Sequence, residues 1–341
     1  MNTPSHNFRT PECTFGKNNW STLAKFWQVI AWSDEVTDAP LGRKLLDVAV
    51  VLFRDENGKV IAAHDVCPHR GSLLSLGKVH DGEIECPYHG MRFNGTGKCT
   101  MVPSNKPGVK LPERLKLNLI EVAEHANLIW VRFDNSGDDI PLPEWSELSD
   151  ETLQNFHLES LEVKTSTTRF CENFNDVAHF AFVHAGTFGG GAREEVERYD
   201  VVQSDFGLHH ELTIEQVDRI SLDDDTEETT KANYKYDFRF PFNNKMHISF
   251  DAERHQHIFA AVSPISSNKC RLFMQFSRNF NFDLPIETSL EFDRSVVMED
   301  LVVIEKVTPV EVPLDLTEEF SVVADRWSVA FRRRWKKFGL E

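Results

Sequence analysis

Cys67-Pro68-His69-Arg70-Gly71 and Cys86-Pro87-Tyr88-His89-Gly90 decide how this chain is read. The pattern is C-x-H, sixteen intervening residues, then C-x-x-H. Each segment offers one thiolate and one imidazole, and a 2Fe-2S cluster takes that donor set when two histidines replace two cysteines on one of its irons. A tetrahedral zinc ion also accepts four nitrogen and sulfur donors, but zinc sites usually pair Cys with Cys and His with His along the chain. Gly71 and Gly90 permit tight loops whose backbone amides can approach the sulfurs. A redox cluster held by Cys67, His69, Cys86 and His89 is therefore expected to organise the first third of the chain.

The flanking sequence predicts a small all-β domain around that cluster. Apolar runs at 45–54 and 60–66 are separated by Asp55-Glu56-Asn57-Gly58, and Asn-Gly between apolar runs signals a hairpin. Further short strands are expected at 83–85, 115–121 and 128–133. Residues 135–143 carry turn formers and charge without periodicity, as a linker does. The expected division is an N-terminal arm at 1–22, the cluster domain at 23–134 and a second domain at 135–341.

Within the second part, residues 171–184 read as an apolar helix that carries Asp176, His179 and His184 in a D-x-x-H-x-x-x-x-H pattern. Two imidazoles and a carboxylate that leave positions open let Fe(II) meet both O2 and a substrate. His179 and His184 stand about 140° apart on a straight helix, so their convergence requires a bulge, a kink or compensating rotamers. Read alone, they are equally consistent with satisfied core histidines; the redox cluster in the same chain favours the metal. A glycine cluster at 186–191 follows, then strands at 208–217, 232–240, 245–250, 257–262 and 271–277, with an acidic loop at 218–228. Clean alternation in Met246-His247-Ile248-Ser249-Phe250 predicts a strand burying one face, hence an antiparallel sheet. Helices at 288–307 and 317–338 complete an α+β order.

Composition sets the outer limits. A length of 341 residues allows two domains. Lys and Arg total 37 against 54 Asp and Glu, for a formal charge of −17, a surface that repels phosphate backbones and anionic lipid. No nucleic acid and no membrane is expected as a partner. The longest stretch without charged side chains, 177–192, is 16 residues, too short to span a bilayer. The first twenty residues lack an apolar signal core, which predicts a cytoplasmic protein. Six cysteines are too few for a disulfide framework in such a chain. The 26 Phe are expected mainly in the core, with some lining a pocket. Arg332-Arg333-Arg334 and Lys336-Lys337 read as a solvated helix end favoured by the macrodipole. The 186–191 glycines lack the strand and helix context of a dinucleotide-binding turn, so reducing equivalents must come from a separate NADH- or NADPH-dependent reductase, with or without a ferredoxin.

CPHRG (67–71) and CPYHGMRF (86–93) resemble the Rieske motif of Rieske non-haem iron oxygenases. The extra cysteines of the respiratory Rieske proteins are replaced here by Ser72 and Tyr88, which implies a low-potential electron carrier. ENFNDVAHFAFVHAGTF (172–188) resembles the mononuclear-iron segment of the same family. That resemblance implies His179 and His184 as iron ligands and Asp176 as the bridging aspartate of the electron path. It also implies a third ligand in MEDLVVIE (298–305). Asp300 shares an apolar stripe with Val297 and Ile304, and Glu299 shares one with Val296 and Val303, so periodicity does not choose between them; the family pattern points to Asp300. EEFSVVADRWSVAFRRRW (318–335) is similar to the vanillate- and methylxanthine-type demethylases.

The resemblance implies a two-domain α+β fold, a small all-β Rieske domain followed by a helix-grip-like antiparallel sheet with helices. The implied protein is the terminal oxygenase component of a multi-component system, containing one 2Fe-2S cluster and one mononuclear Fe(II). It would use O2 and reductase-supplied electrons to hydroxylate a small aromatic or heterocyclic substrate, by O- or N-demethylation releasing formaldehyde. A homotrimer with electron transfer between subunits is implied too. Ring or alkyl hydroxylation or dioxygenation is the alternative within the family. A redox-sensing ligand-binding protein with a vestigial iron site is the alternative outside it, disfavoured by the retained D-x-x-H-x-x-x-x-H.

Overall fold

The computed structural model describes residues 8–136, 140–191, 193–219, 222 and 226–341. Linker residues 137–139, Ala192 of the uncharged stretch, and 220, 221 and 223–225 of the acidic loop lie outside the described residues. The chain divides into two compact units, with the boundary between Leu142 and Pro143 rather than after Asp134.

The first unit contains helix α1 (Lys17–Leu23) and strands β1 (Gln28–Trp32), β2 (Leu41–Leu45), β3 (Val48–Arg54), β4 (Val60–His64), β5 (Lys78–His80), β6 (Glu83–Glu85), β7 (Arg92–Phe93), β8 (Cys99–Met101), β9 (Leu119–His125) and β10 (Leu128–Arg132). They form an antiparallel sheet in the order β1-β10-β9-β4-β3-β2 and a meander β5-β6-β7-β8. The β3–β4 hairpin turns where Asn-Gly predicts, with Gly58 at φ 77° and Asp55 Oδ1 accepting the Asn57 and Lys59 amides at 2.9 and 3.0 Å.

Two expectations shift. The strand expected at 45–54 is cut because Leu46 and Asp47 take positive φ, 50° and 63°, and turn the chain between β2 and β3. Asp47 is held there by the Thr14 amide and hydroxyl, at 2.8 and 2.6 Å. Trp20 donates to the Leu46 carbonyl at 3.0 Å, and Phe8, Phe15 and Trp20 are buried. The stretch expected as an arm at 1–22 is thus, from Phe8 onward, packed into the first unit. The strand expected at 115–121 forms later, as β9, because a turn through Ala126 and Asn127, both at positive φ, pairs it with β10.

The second unit contains β11 (Gln154–His157), β12 (Leu161–Val163), β13 (Val202–Gln203), β14 (Gly207–Val217), β15 (Thr229–Arg239), β16 (Asn243–Ser249), β17 (His255–Ser266) and β18 (Lys269–Arg278). Its helices are α2 (Thr167–Asn175), α3 (Phe180–Val183), α4 (Ile286–Ile304) and α5 (Arg326–Lys337). The antiparallel sheet runs β11-β18-β17-β16-β15-β14-β13, with β12 also on β18. Helix α2 packs on β16, β17, α4 and α5. Trp327, Phe331 and Trp335, one α5 face at four-residue spacing, pack on Phe238 of β15 and Phe240 just after it with ring centroids 4.8 to 5.4 Å apart. The helix expected from 317 begins only at Arg326. Asp315 takes the Thr317 amide at 2.9 Å and Asp325 takes the Val322 amide at 2.7 Å, local bonds that compete with a helical turn. Among the described residues no helix is long and apolar enough to cross a membrane.

The basic run is not uniformly solvated. Arg332 is 5% exposed and grips Glu172 of α2 through Nε and Nη2 at 2.7 and 2.9 Å. Glu319 closes a quartet, meeting Arg332 at 2.6 Å and Arg169 at 2.8 Å. Burial pushes the Glu172 carboxyl up while Arg332 and Arg169 pull it down. Removing one partner strands a buried charge, which costs roughly 3–5 kcal/mol. Arg332→Met is therefore expected to lower urea stability of the second unit by about that amount, and Glu172→Gln in the same chain to recover much of it. An Arg332→Met midpoint equal to wild type would show that the quartet does not hold α2.

Candidate active site

In the first unit, the two Cys-containing loops repeat one backbone design. The Cys67 amide donates to the Ser72 carbonyl at 2.8 Å and the Gly71 amide returns to the Cys67 carbonyl at 2.9 Å; Cys86, Met91 and Gly90 repeat this at 2.8 and 3.0 Å. Gly71 and Gly90 sit at φ 75° and 65°, where a side chain would be strained. The sulfurs are buried among Val51, Ile84 and Phe93, while His69 and His89 are exposed with ring centroids 4.6 Å apart. Burial pushes the Cys67 thiol up to about 11, against the His69 and Arg70 amides. A thiolate is stable there against a cation. Cys67, His69, Cys86 and His89 do not draw three donor atoms within 4.8 Å of one another. A thiol pair inside and an imidazole pair outside suit two irons better than one zinc ion.

In the second unit, the helix expected at 171–184 is two pieces. Ser166 caps α2 by accepting the Arg169 amide at 3.1 Å. The helix ends at Asn175 because Asp176 is extended, φ −88° and ψ 141°, and Asp176 Oδ1 takes the Ala178 amide at 3.0 Å. The chain turns again through His179 into α3. A Cβ on Gly189 would lie 2.0 Å from the Phe180 carbonyl oxygen, so the glycine cluster is what lets the chain close over this turn. His179 and His184 are thereby swung onto one site despite their five-residue spacing.

Asp300 of α4 completes it. His179 Nε2 and His184 Nε2 each stand 3.4 Å from Asp300 Oδ1, and Asn173 donates to the same oxygen at 3.1 Å. Among the described residues, this trio alone brings three His, Cys or carboxylate donors within 4.8 Å of one another. Glu299 faces the other side of His184, its Oε2 at 2.8 Å from Nδ1, and also takes the Thr187 hydroxyl at 2.8 Å. Asp176 Oδ2 does the same for His179 Nδ1 at 3.1 Å. Burial opposes charge on His179, yet Asp176 and Asp300 outweigh it and push its pKa up to about 9. Burial would raise Asp300, but the two histidines hold it well below the carboxylate range. The site is built to surround positive charge.

The trio opens on a cavity of about 120 Å³ walled by Phe174, Met246, Ile258, Val296 and other apolar side chains, with a few polar groups among them. Such a lining suits a small, flat, largely apolar molecule held by few directional contacts.

An iron-sulfur centre in one unit and a facial trio beside an apolar cavity in the other define a two-centre iron oxygenase. Residues 26–122 match the Rieske [2Fe-2S] domain and 163–340 match the vanillate O-demethylase oxygenase C-terminal domain. The chain belongs to the Rieske non-haem iron oxygenases that carry this C-terminal domain. It is similar to the methylxanthine N3-demethylase of Pseudomonas putida, 31% identical over 93% of this chain and 90% of that protein. It is similar also to the dicamba O-demethylase oxygenase component of Stenotrophomonas maltophilia, 31% identical over 52% of each chain. The solved structure of Pseudomonas putida CBB5 NdmA with caffeine superposes with a TM-score of 0.82 at 27% identity, covering 93% of this chain and 91% of that one. The chain is thus an oxidoreductase that uses a 2Fe-2S cluster and a mononuclear iron, an oxygenase component that needs a separate reductase.

Glu299, Asn173 and Thr187 were not foreseen as supports. Glu299 was visible only as a rival to Asp300, and nothing in the spacing says that neighbouring carboxylates address opposite sides of one imidazole. Asp300→Ala is expected to abolish mononuclear iron uptake, and Glu299→Ala to weaken it roughly 10- to 100-fold, the usual cost of losing a ligand's outer partner. Both should leave the cluster's absorption unchanged. Iron titration of the two variants checks this, and equal affinity of Glu299→Ala and wild type would remove Glu299 from the site.

Proposed function

We propose that this chain demethylates a small aromatic or heterocyclic O-methyl or N-methyl compound, with Cys67, His69, Cys86 and His89 holding the cluster and His179, His184 and Asp300 the mononuclear iron. The observation that carries it is the trio's place in the wall of a largely apolar cavity, with Oδ1 of Asp300 shared by both imidazoles. When bound, the cluster supplies electrons and the iron activates O2 towards a C–H bond. A methyl group hydroxylated on oxygen or nitrogen is a hemiacetal or hemiaminal, which collapses to formaldehyde and the demethylated product. Demethylation is favoured over ring or alkyl hydroxylation by relatives of both kinds, N- and O-demethylases.

The chain's own residues orient and exclude. Asn173 steadies the Asp300 oxygen, and Glu299 with Thr187 fixes His184 so that its Nε2 faces Asp300. The Phe and Met walls keep bulk water from the methyl group. Asp176 connects His179 to its surroundings: Oδ2 holds Nδ1, while the side chain keeps 33% exposure. In a homotrimer, that exposed edge of Asp176 receives electrons by way of His69 and His89 of a neighbouring subunit, whose rings are exposed. A cytoplasmic setting provides the reductase with NADH or NADPH.

Purified enzyme should contain three irons per chain and, with a reductase and NADH, release formaldehyde and demethylated product in equal amounts from some methoxy- or N-methyl-aromatics. Hydroxylated product without formaldehyde would move the reading to ring or alkyl hydroxylation, and two irons per chain to the redox sensor.

Asp176→Asn should keep both iron sites yet lose most turnover. Mixing inactive His69→Ala chains with inactive Asp176→Asn chains should restore activity, since some interfaces then pair an intact cluster with an intact aspartate. Verified mixed oligomers without recovered activity would count against transfer between subunits.

A further inference from the structure

Helix α4 presents one face to the cavity: Asp293, Val296, Val297 and Asp300 all line it. Asp293 and Asp300 are seven residues apart, two turns, which places their Cα atoms about 10.5 Å apart along the axis. One carboxyl closes the metal trio; the other lies two turns away on the same wall. Asp293 is 9% exposed, and among the described residues its carboxyl makes no hydrogen bond and no ion pair. Arg278, which acts on it through charge, spends Nε and Nη2 on Gln154 at 2.9 and 2.7 Å and Nη1 on Ser289 at 2.8 Å. Nη2 reaches the Asn281 carbonyl as well, at 3.2 Å. A buried carboxyl lining a cavity with no protein partner is left for water or a bound molecule to satisfy.

Burial pushes Asp293 up to about 8, against the pull of Arg278. At neutral pH the group is a carboxylic acid with an O–H to donate. The other titratable or charged groups facing the cavity are Arg219 after β14, Tyr234 of β15, and His179, His184 and Asp300.

We propose that Asp293 is a specificity-determining residue, its carboxyl donating a hydrogen bond to an acceptor on the substrate edge opposite the methyl group. The substrate class is then a neutral methoxy- or N-methyl-aromatic with a carbonyl oxygen or ring nitrogen at its far end, roughly 10 Å from the metal trio by the two-turn spacing. The inference rests on the trio being the site of methyl oxidation.

Two probes of one shape isolate the contact: 7-methoxycoumarin carries a carbonyl opposite its methoxy group, and 2-methoxynaphthalene carries none. Binding to the iron-loaded enzyme, measured calorimetrically without reductant, should favour the coumarin by roughly tenfold at pH 7, the scale of one hydrogen bond. That preference should shrink as the pH passes 8, because the donor form is lost as the acid ionises. Asp293→Leu should bind both probes alike, and Asp293→Asn should keep the preference at pH 7 and 9.5, since an amide donates without titrating. Equal binding of the two probes to wild type, no binding of the coumarin, or an undiminished preference in Asp293→Leu would overturn the assignment. A failure of the demethylase reading looks different: the binding preference stays intact, but supplying reductase and NADH yields formaldehyde from neither probe.

Discussion

Two imidazoles five residues apart point about 140° away from each other on a continuous helix, and the catalytic unit is arranged around the break that removes this conflict. Asp176 supplies the break. Its backbone leaves the helix, and its carboxylate replaces lost helical bonds by taking the Ala178 amide. The same carboxylate turns to His179, so the residue that ends the helix also aims the imidazole it displaced. Upstream, α2 must be fixed for the break to have a defined position. Ser166 caps its start, and the Glu172–Arg332 pair ties its middle to α5. Downstream, Gly189 packs where no side chain fits, against the Phe180 carbonyl.

The Glu299-Asp300 pair solves a second problem, the orientation of a ring with two different nitrogens. Adjacent positions on a helix project about 100° apart, so the two carboxylates pass on either side of His184. Glu299 takes Nδ1 and Asp300 faces Nε2. On His179 the same division falls to Asp176 and Asp300. With Nδ1 facing an outer carboxylate, each ring turns its Nε2 towards the shared oxygen of Asp300, so a cation between them would meet both nitrogens and the carboxylate together. One carboxylate oxygen, two imidazoles and the Asn173 amide thus form a site whose geometry depends on three separate helices.

Much of this could be seen in the sequence, for identifiable reasons. The cluster loops were legible because their donors lie close along the chain and their glycines fall at positions where backbone conformation requires them. The β3–β4 hairpin was legible because Asn57-Gly58 has a fixed turn chemistry. The His179, His184 and Asp300 trio was only partly so: His179 and His184 share a segment, but Asp300 is more than a hundred residues away and periodicity treated it and Glu299 alike. The supporting roles of Glu299, Asn173 and Arg332 were hidden, because each depends on which helix faces which. Arg332 looked like part of a solvated basic run, yet it follows Phe331 on the flank of the buried α5 face and reaches Glu172. Asp293 did leave a trace, a carboxylate four residues before Val297 on the buried stripe of α4, the same kind of placement that Asp300 and Glu299 share.

The surroundings of Asp176 explain why its coupling to His179 is undiluted. Near it lie Tyr236, Tyr199 and His210, with His210 stacked on Tyr236 at 4.3 Å between centroids and tilted against Tyr199 at 5.0 Å. Burial holds His210 down at about 3, so the ring is neutral, and its two nitrogens and the Tyr236 hydroxyl have no partner among the described residues. No Lys or Arg among the described residues pairs with Asp176. Its negative charge is offset by the Ala178 amide and by His179, and with apolar and neutral rings on one side the pairing is less screened than on an open surface. The carboxylate and the imidazole therefore respond to each other's charge, while part of the Asp176 side chain stays exposed. A cation beside Asp176 would have stabilised the carboxylate more simply, and would have cut that connection.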